Sequence, residues 1–124
     1  MRIGSDDTFL ILERVERRGL APKWRVAAAT GDLDCWFAAM HHGVEAANGE
    51  DMADRLAEFI AGKTDRVEIT LSQGGWIRLR RHPSGSLLVR YRVAQANSGA
   101  ALEGEVNVES KAAQNVCRQL AGLF

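Results

Sequence analysis

The chain lacks the short motifs that announce a reaction. Its 124 residues contain no GxGxxG and no Walker loop. Gly74-Gly75 and Gly99 fall where a hairpin or loop already accounts for them, so nucleotide binding of those kinds has no support. No HxH or HExxH spacing occurs. Cysteine is scarce, and Cys35 and Cys117 each stand without a second cysteine at metal-ligand spacing, so both are expected as reduced thiols used for packing. An excess of one charge is missing as well. Sixteen Lys and Arg balance sixteen Asp and Glu, which removes the global field that draws a protein onto nucleic acid or an anionic membrane. Apolar runs fall far short of the ~20 residues that span a bilayer, and Met1 to Asp7 has no apolar run behind a basic end. These absences predict a cytoplasmic protein with no membrane or nucleic-acid partner, no metal and no cofactor, and they weigh against an enzyme.

What is present is a sheet. Val67-Glu68-Ile69-Thr70-Leu71, Ile77-Arg78-Leu79-Arg80, Leu87 to Val93 and Leu102 to Val108 all place an apolar residue at every second position, as strands with one buried face require. Gln73-Gly74-Gly75 and Pro83-Ser84-Gly85 supply glycine where tight hairpins need positive φ, so the middle strands pair in succession. Gln95 to Ala101, long and rich in small residues, reads as a mobile loop. Upstream, Thr8 to Val15 and Lys23 to Ala29 form a first antiparallel pair about a turn at Arg18 to Pro22. Leu33 to Met40 is apolar nearly throughout, and over 33–44 periodicity leaves strand and helix open.

Two helices follow the same logic. Asn48 is placed as N-cap of the first, with Glu50, Asp51 and Asp54 near its positive end, Met52, Leu56, Phe59 and Ile60 on one face, and Gly62 as its stop. Ser110 is placed as N-cap of a second, from Lys111 to about Leu123, burying Val116, Cys117 and Leu120. With 46% hydrophobic residues the chain is long enough for one core, and the reading is a single domain over residues 1–124. Its class is α+β, a mainly antiparallel sheet of about six or seven strands in the order β-β-β-α-β-β-β-β-α.

Strand parity then sorts the surface. If Ile77, Leu79, Leu87, Val89, Tyr91 and Val93 face the core, Trp76, Arg78, Arg80, Leu88, Arg90 and Arg92 share the opposite face. Four arginines beside a tryptophan suit an acidic partner or an oxyanion, because guanidinium pairs with oxyanions and stacks on aromatic rings. The bland alternative is neutralisation by Glu68, Glu103, Glu105 and Glu109 on neighbouring strands. A second candidate is a pocket near Trp36, Met40, His41 and His42, between the first helix and the sheet. Adjacent histidines on a strand point opposite ways and do not readily share an ion. His82, in a turn, has no nucleophile or orienting carboxylate beside it in the sequence. Trp24 and Trp36 are expected to fill core.

The run Gly75-Trp76-Ile77-Arg78-Leu79-Arg80, then Gly85 to Arg92, then Leu102-Glu103-Gly104-Glu105-Val106, resembles small uncharacterised bacterial domains of unknown function. In some of these, found in genomic settings like those of toxin–immunity proteins, a tryptophan-bearing hairpin leads to a strand with an acidic Leu-Glu-Gly sequence. The resemblance covers the C-terminal third to half and implies a cytoplasmic interaction domain from a bacterium; it transfers no catalytic residue. The leading expectation is therefore a non-enzymatic, immunity-like protein-binding module using the exposed sheet face. The alternative is a small-molecule binding or enzymatic domain using the pocket near Trp36. A homodimer is compatible with both.

Overall fold

The computed structural model describes the backbone of residues 1–31, 35–42, 44–45, 52–95 and 98–124, and the side chains of these except residues 21, 35–42 and 44–45. Strands β1 (Arg2–Gly4), β2 (Phe9–Arg17), β3 (Leu20–Thr30), β4 (Cys35–His42) and β5 (Val44–Glu45) precede helix α1 (Met52–Ile60). Strands β6 (Arg66–Leu71), β7 (Trp76–Arg81), β8 (Leu87–Ala94) and β9 (Ala101–Val108) follow it, and α2 (Ser110–Ala121) closes the order. The class is α+β, and the seven longer strands and two helices run in the order β-β-β-α-β-β-β-β-α. The segment whose composition left strand and helix open is the strand β4. Every described pair is antiparallel, but the strands divide between two sheets, β1-β2-β3-β4 and β5-β6-β7-β8-β9, each extended by one short strand.

Short turns enforce the local pairing. Gln73 and Gly74 both adopt positive φ, 65° and 80°, between β6 and β7, the twist a tight hairpin needs. His82 to Gly85 joins β7 to β8 with Gly85 at φ 90°. Gly19 at φ 71° lets β2 turn straight into β3, so that β3 starts at Leu20 and passes through Pro22.

The inner faces meet as expected from parity. Leu10, Leu12, Trp24, Val26 and Ala28 of the first sheet join one hydrophobic cluster with Val67, Ile69, Ile77, Leu79, Val89, Tyr91 and Val93 of the second. Burying a side chain of this size contributes roughly 1.5–3 kcal/mol. Met52, Leu56 and Phe59 of α1 and Ala113, Cys117 and Leu120 of α2 complete the cluster, and Trp24 stacks on Phe124 at 4.7 Å. Gly62, at φ 79°, ends α1 as its position predicts. Arg81 reinforces that end: its Nη2 donates to the Phe59 carbonyl at 2.9 Å and its guanidinium lies over the Phe59 ring, a cation at the negative end of the helix. The N-cap of α2 is Glu109, not Ser110, and it makes no side-chain cap bond. The cap placed at Asn48, with Glu50 and Asp51, lies outside the described residues, as do residues 96 and 97 of the β8–β9 connection.

One contact ties the sheets together. Tyr91, fully buried, donates its hydroxyl to the Ala29 carbonyl of β3 at 3.4 Å. Its register partner on β9 is Gly104, where a Cβ would stand 2.5 Å from Tyr91 Oη and 3.0 Å from Thr30 Cγ2. A glycine inside a strand marks such a close approach.

Candidate partner-binding face

The outer face of β6–β9 is a small grid fixed by register. One row is Thr70, Trp76, Arg92 and Glu103; the next is Glu68, Arg78, Arg90 and Glu105; the third is Arg66, Arg80, Leu88 and Asn107. Because directly opposed residues share a face, all six residues singled out by parity (Trp76, Arg78, Arg80, Leu88, Arg90 and Arg92) lie on this one surface. Trp76, Leu88 and Arg92 are partly buried, and Arg78, Arg80 and Arg90 are exposed.

Charge is distributed unevenly over the grid. Arg92 donates to Glu103 at 3.1 Å, Arg78 to Glu68 at 2.6 Å, and Arg90 lies 3.8 Å from Glu105. The first two rows are thus neutral, and three of the four arginines have carboxylate partners across the sheet. Glu109 takes no part, since β9 ends at Val108 and Glu109 caps α2. The third row holds two arginines and no carboxylate. Arg80 makes no ion pair among the described residues, and Arg66 has only its neighbour Asp65 at 3.4 Å, both side chains more than two-thirds exposed.

Two further features shape the surface. The Arg78 guanidinium lies over the Trp76 ring at 3.8 Å, so one arginine is held both by Glu68 and by the aromatic face. Beside it, a recess of about 420 Å³ opens between the second and third rows, with Arg66, Glu68, Arg78, Arg80, Leu88 and Arg90 in its wall and Arg55 of α1 reaching it from beyond the sheet edge. Arg66 went unread in the sequence, although the alternation of Glu68 and Thr70, extended back by one step, puts it on this face. Arg55 had no such signal, because helix period alone does not say which strand a helix borders.

The other candidate cannot be assembled in the same way. Trp36, Met40, His41 and His42 all belong to β4, with Trp36 opposite Ala29 and His42 opposite Lys23 in the register, and their side chains lie outside the described residues. Among the described residues no group of three potential metal ligands occurs. His82 does have a hydroxyl beside it, which the sequence reading did not find: Ser84 Oγ lies 2.8 Å from Nδ1. The Ser84 amide donates to the same nitrogen at 3.1 Å, so the contact clasps the turn that aligns β7 with β8. Two titrations are shifted inside the core. Burial pushes the Tyr91 phenol up, and burial pushes the Cys117 thiol up against the opposing charge and hydrogen bond of Arg81.

Among the described residues no helix is long and apolar enough to cross a membrane. In comparisons with protein-family models, with curated proteins and with solved structures, nothing matches this chain.

Proposed function

We propose that the chain is a non-enzymatic protein-interaction module, immunity-like in kind, which docks a protein partner on the outer face of β6–β9. The observation that carries this reading is the setting of Trp76: a partly buried indole, overlaid by Arg78 at 3.8 Å, in a row that continues into Arg92. Tryptophan and arginine are the residue types that most often supply the binding energy of an interface. Here they are held in place before any partner arrives, because Glu68 and Glu103 fix the two guanidinium groups and a rigid sheet fixes the backbone. Preorganisation of this kind lowers the entropy cost of docking.

The test compares folded variants. Tagged wild type, Trp76→Ala and Arg92→Glu are used to capture partners from a lysate of the source organism, the captured protein is identified, and the complex is rebuilt from purified components. A rebuilt complex weakened about tenfold or more by Trp76→Ala, the loss typical of a hot-spot tryptophan, is the expected result. Unchanged association of both variants, with far-UV and near-UV spectra showing the native fold, would sink the reading. Light scattering of the purified chain shows directly whether a second copy is the partner.

A further inference from the structure

The third row of the same face lacks the compensation that the second has. Like charges directly opposite one another on an antiparallel pair repel; Arg78 faces Arg90 in the second row, but Glu68 and Glu105 flank that pair, whereas Arg66 faces Arg80 in the third with no carboxylate in the row. Elsewhere on the grid each arginine faces a glutamate within 3.8 Å. The chain as a whole carries no net charge, so the excess is local, and within a Debye length of about 8–10 Å it is felt only by what sits on that end of the sheet. A like-charge pair with no carboxylate in its row, and with Arg66 held only by the exposed Asp65 among the described residues, is where recognition is expected.

Resting on the binding-module reading above, we infer that this end of the sheet is the subsite for an acidic segment of the protein partner, with partner carboxylates on Arg66 and Arg80 and a partner apolar side chain on Leu88. Each guanidinium offers a planar fork that pairs with a carboxylate through two parallel hydrogen bonds. Leu88, partly buried and directly opposite Arg80, supplies apolar contact beside the charge. The recess of about 420 Å³ gives the docked side chains a concave seat instead of a flat surface. The alternative anion, a phosphate group, is usually gathered by free backbone N–H groups at a helix terminus or nest. The backbone donors of β7 and β8 are spent on ladders to both neighbouring strands, so at Arg80 and Leu88 side chains alone are left to hold the ligand. Paired carboxylates on an acidic chain fit that supply of donors better.

The experiment follows backbone amide signals of the intact chain by NMR while a synthetic octapeptide, four Glu alternating with Gly around a central Leu, is added to millimolar concentration. Its Gln counterpart, inorganic pyrophosphate and the Arg80→Gln and Arg18→Gln variants complete the set; Arg18 is an exposed arginine in the β2–β3 turn and serves as the control. The expected result is that the Glu peptide moves the signals of Arg66, Arg80 and Leu88. The Gln peptide leaves them in place, Arg80→Gln weakens binding about tenfold, Arg18→Gln does not, and added salt weakens what remains. Equal binding of the Gln peptide, silence with the Glu peptide, or a response to pyrophosphate alone would overturn the inference, the last pointing to a phosphate-bearing ligand. Failure here with Trp76→Ala still abolishing partner association removes the acidic subsite and leaves the module reading standing. Association untouched by Trp76→Ala removes the module reading itself.

Discussion

On the inner face of the second sheet Leu79, Val89, Tyr91 and Val93 are at most 1% exposed, while one step along the same strands Arg78, Arg80 and Arg90 stand in water. The backbone, the hairpins and the register are common to both faces. What differs is the medium, and with it the penalty for a change. An inner side chain removed leaves a void that close-packed neighbours cannot fill. An outer ion pair removed returns two charges to a high-dielectric solvent that accepts them readily. The inner face is therefore suited to specifying the fold, and the outer face is free to be shaped for recognition with little effect on stability.

Adjacent residues on β7 give the sharpest contrast and the largest expected effect. Leu79→Ala should cost about 2–5 kcal/mol of unfolding free energy, and Arg78→Ala no more than about 1 kcal/mol. Urea denaturation of both variants measures the pair. A loss from Arg78→Ala as large as that from Leu79→Ala would dissolve the distinction between the faces.

Next in size is the contact between the sheets. Gly104→Ala puts a methyl group where Tyr91 Oη and Cζ would lie 2.5 and 2.8 Å away, and overpacking against a buried side chain costs roughly 1–3 kcal/mol. If Tyr91 is the obstacle, Tyr91→Leu in the Gly104→Ala background should cost less than it does alone, because the two changes share one space. Additive losses in thermal unfolding would show that Gly104 is needed for some other reason.

Alkaline pH reaches the same interior by a different route. Cys117 and Tyr91 hold their protons to higher pH in the folded chain than the ordinary values of 9.0 and 10.0, since burial penalises the thiolate and the phenolate. The unfolded chain releases those protons first as pH rises, so folding is favoured most below about pH 9 and loses stability as pH climbs towards the raised folded values. The urea midpoint should be steady from pH 7 to 8.5 and decline by pH 10.5, with a shallower decline in Cys117→Ala. A midpoint that rises with pH over that range would contradict the assignment.

The period of two makes the inner and outer sets readable in the sequence: Ile77, Leu79, Leu87, Val89, Tyr91 and Val93 are all buried, and the six outer residues share one surface. Both middle hairpins are legible from Gly74 and Gly85, which take positive φ, although Gln73 takes it as well. The division into two sheets was not, since a hydrophobic alternation states which face is dry and says nothing about which distant strand supplies the hydrogen bonds. The ion pairs depended on register, which turn geometry sets residue by residue, so Glu105 was readable as a polar neighbour but not as the partner of Arg90. Gly104 did leave a mark. It takes an apolar position in the alternation of Leu102, Val106 and Val108, the place where a strand glycine signals something pressing against the backbone. Arg81, one step beyond Ile77 and Leu79 and opposite Leu87, has the parity of the inner face, but nothing in the alternation says that it would cap α1.

The smallest expected effect tests the outer face most directly. Arg78 is held twice, by Glu68 at 2.6 Å and over Trp76 at 3.8 Å, but its side chain and that of Glu68 are 48% and 44% exposed. An ion pair in that setting contributes about 0.2–1 kcal/mol, and a cation stacked on an exposed ring about 0.5–1 kcal/mol. A double-mutant cycle of Arg78→Ala and Glu68→Ala should therefore give a coupling below about 1 kcal/mol that shrinks in high salt, and a cycle with Trp76→Ala one of similar size that responds less to salt. Couplings of 2 kcal/mol or more would mean that the grid is itself a structural element, its arginines committed to the sheet and poorly placed to receive a partner. Small couplings would leave the guanidinium groups oriented but weakly held, which is the condition a docking surface needs: aligned in advance, yet able to exchange a glutamate of their own sheet for a carboxylate brought by another chain.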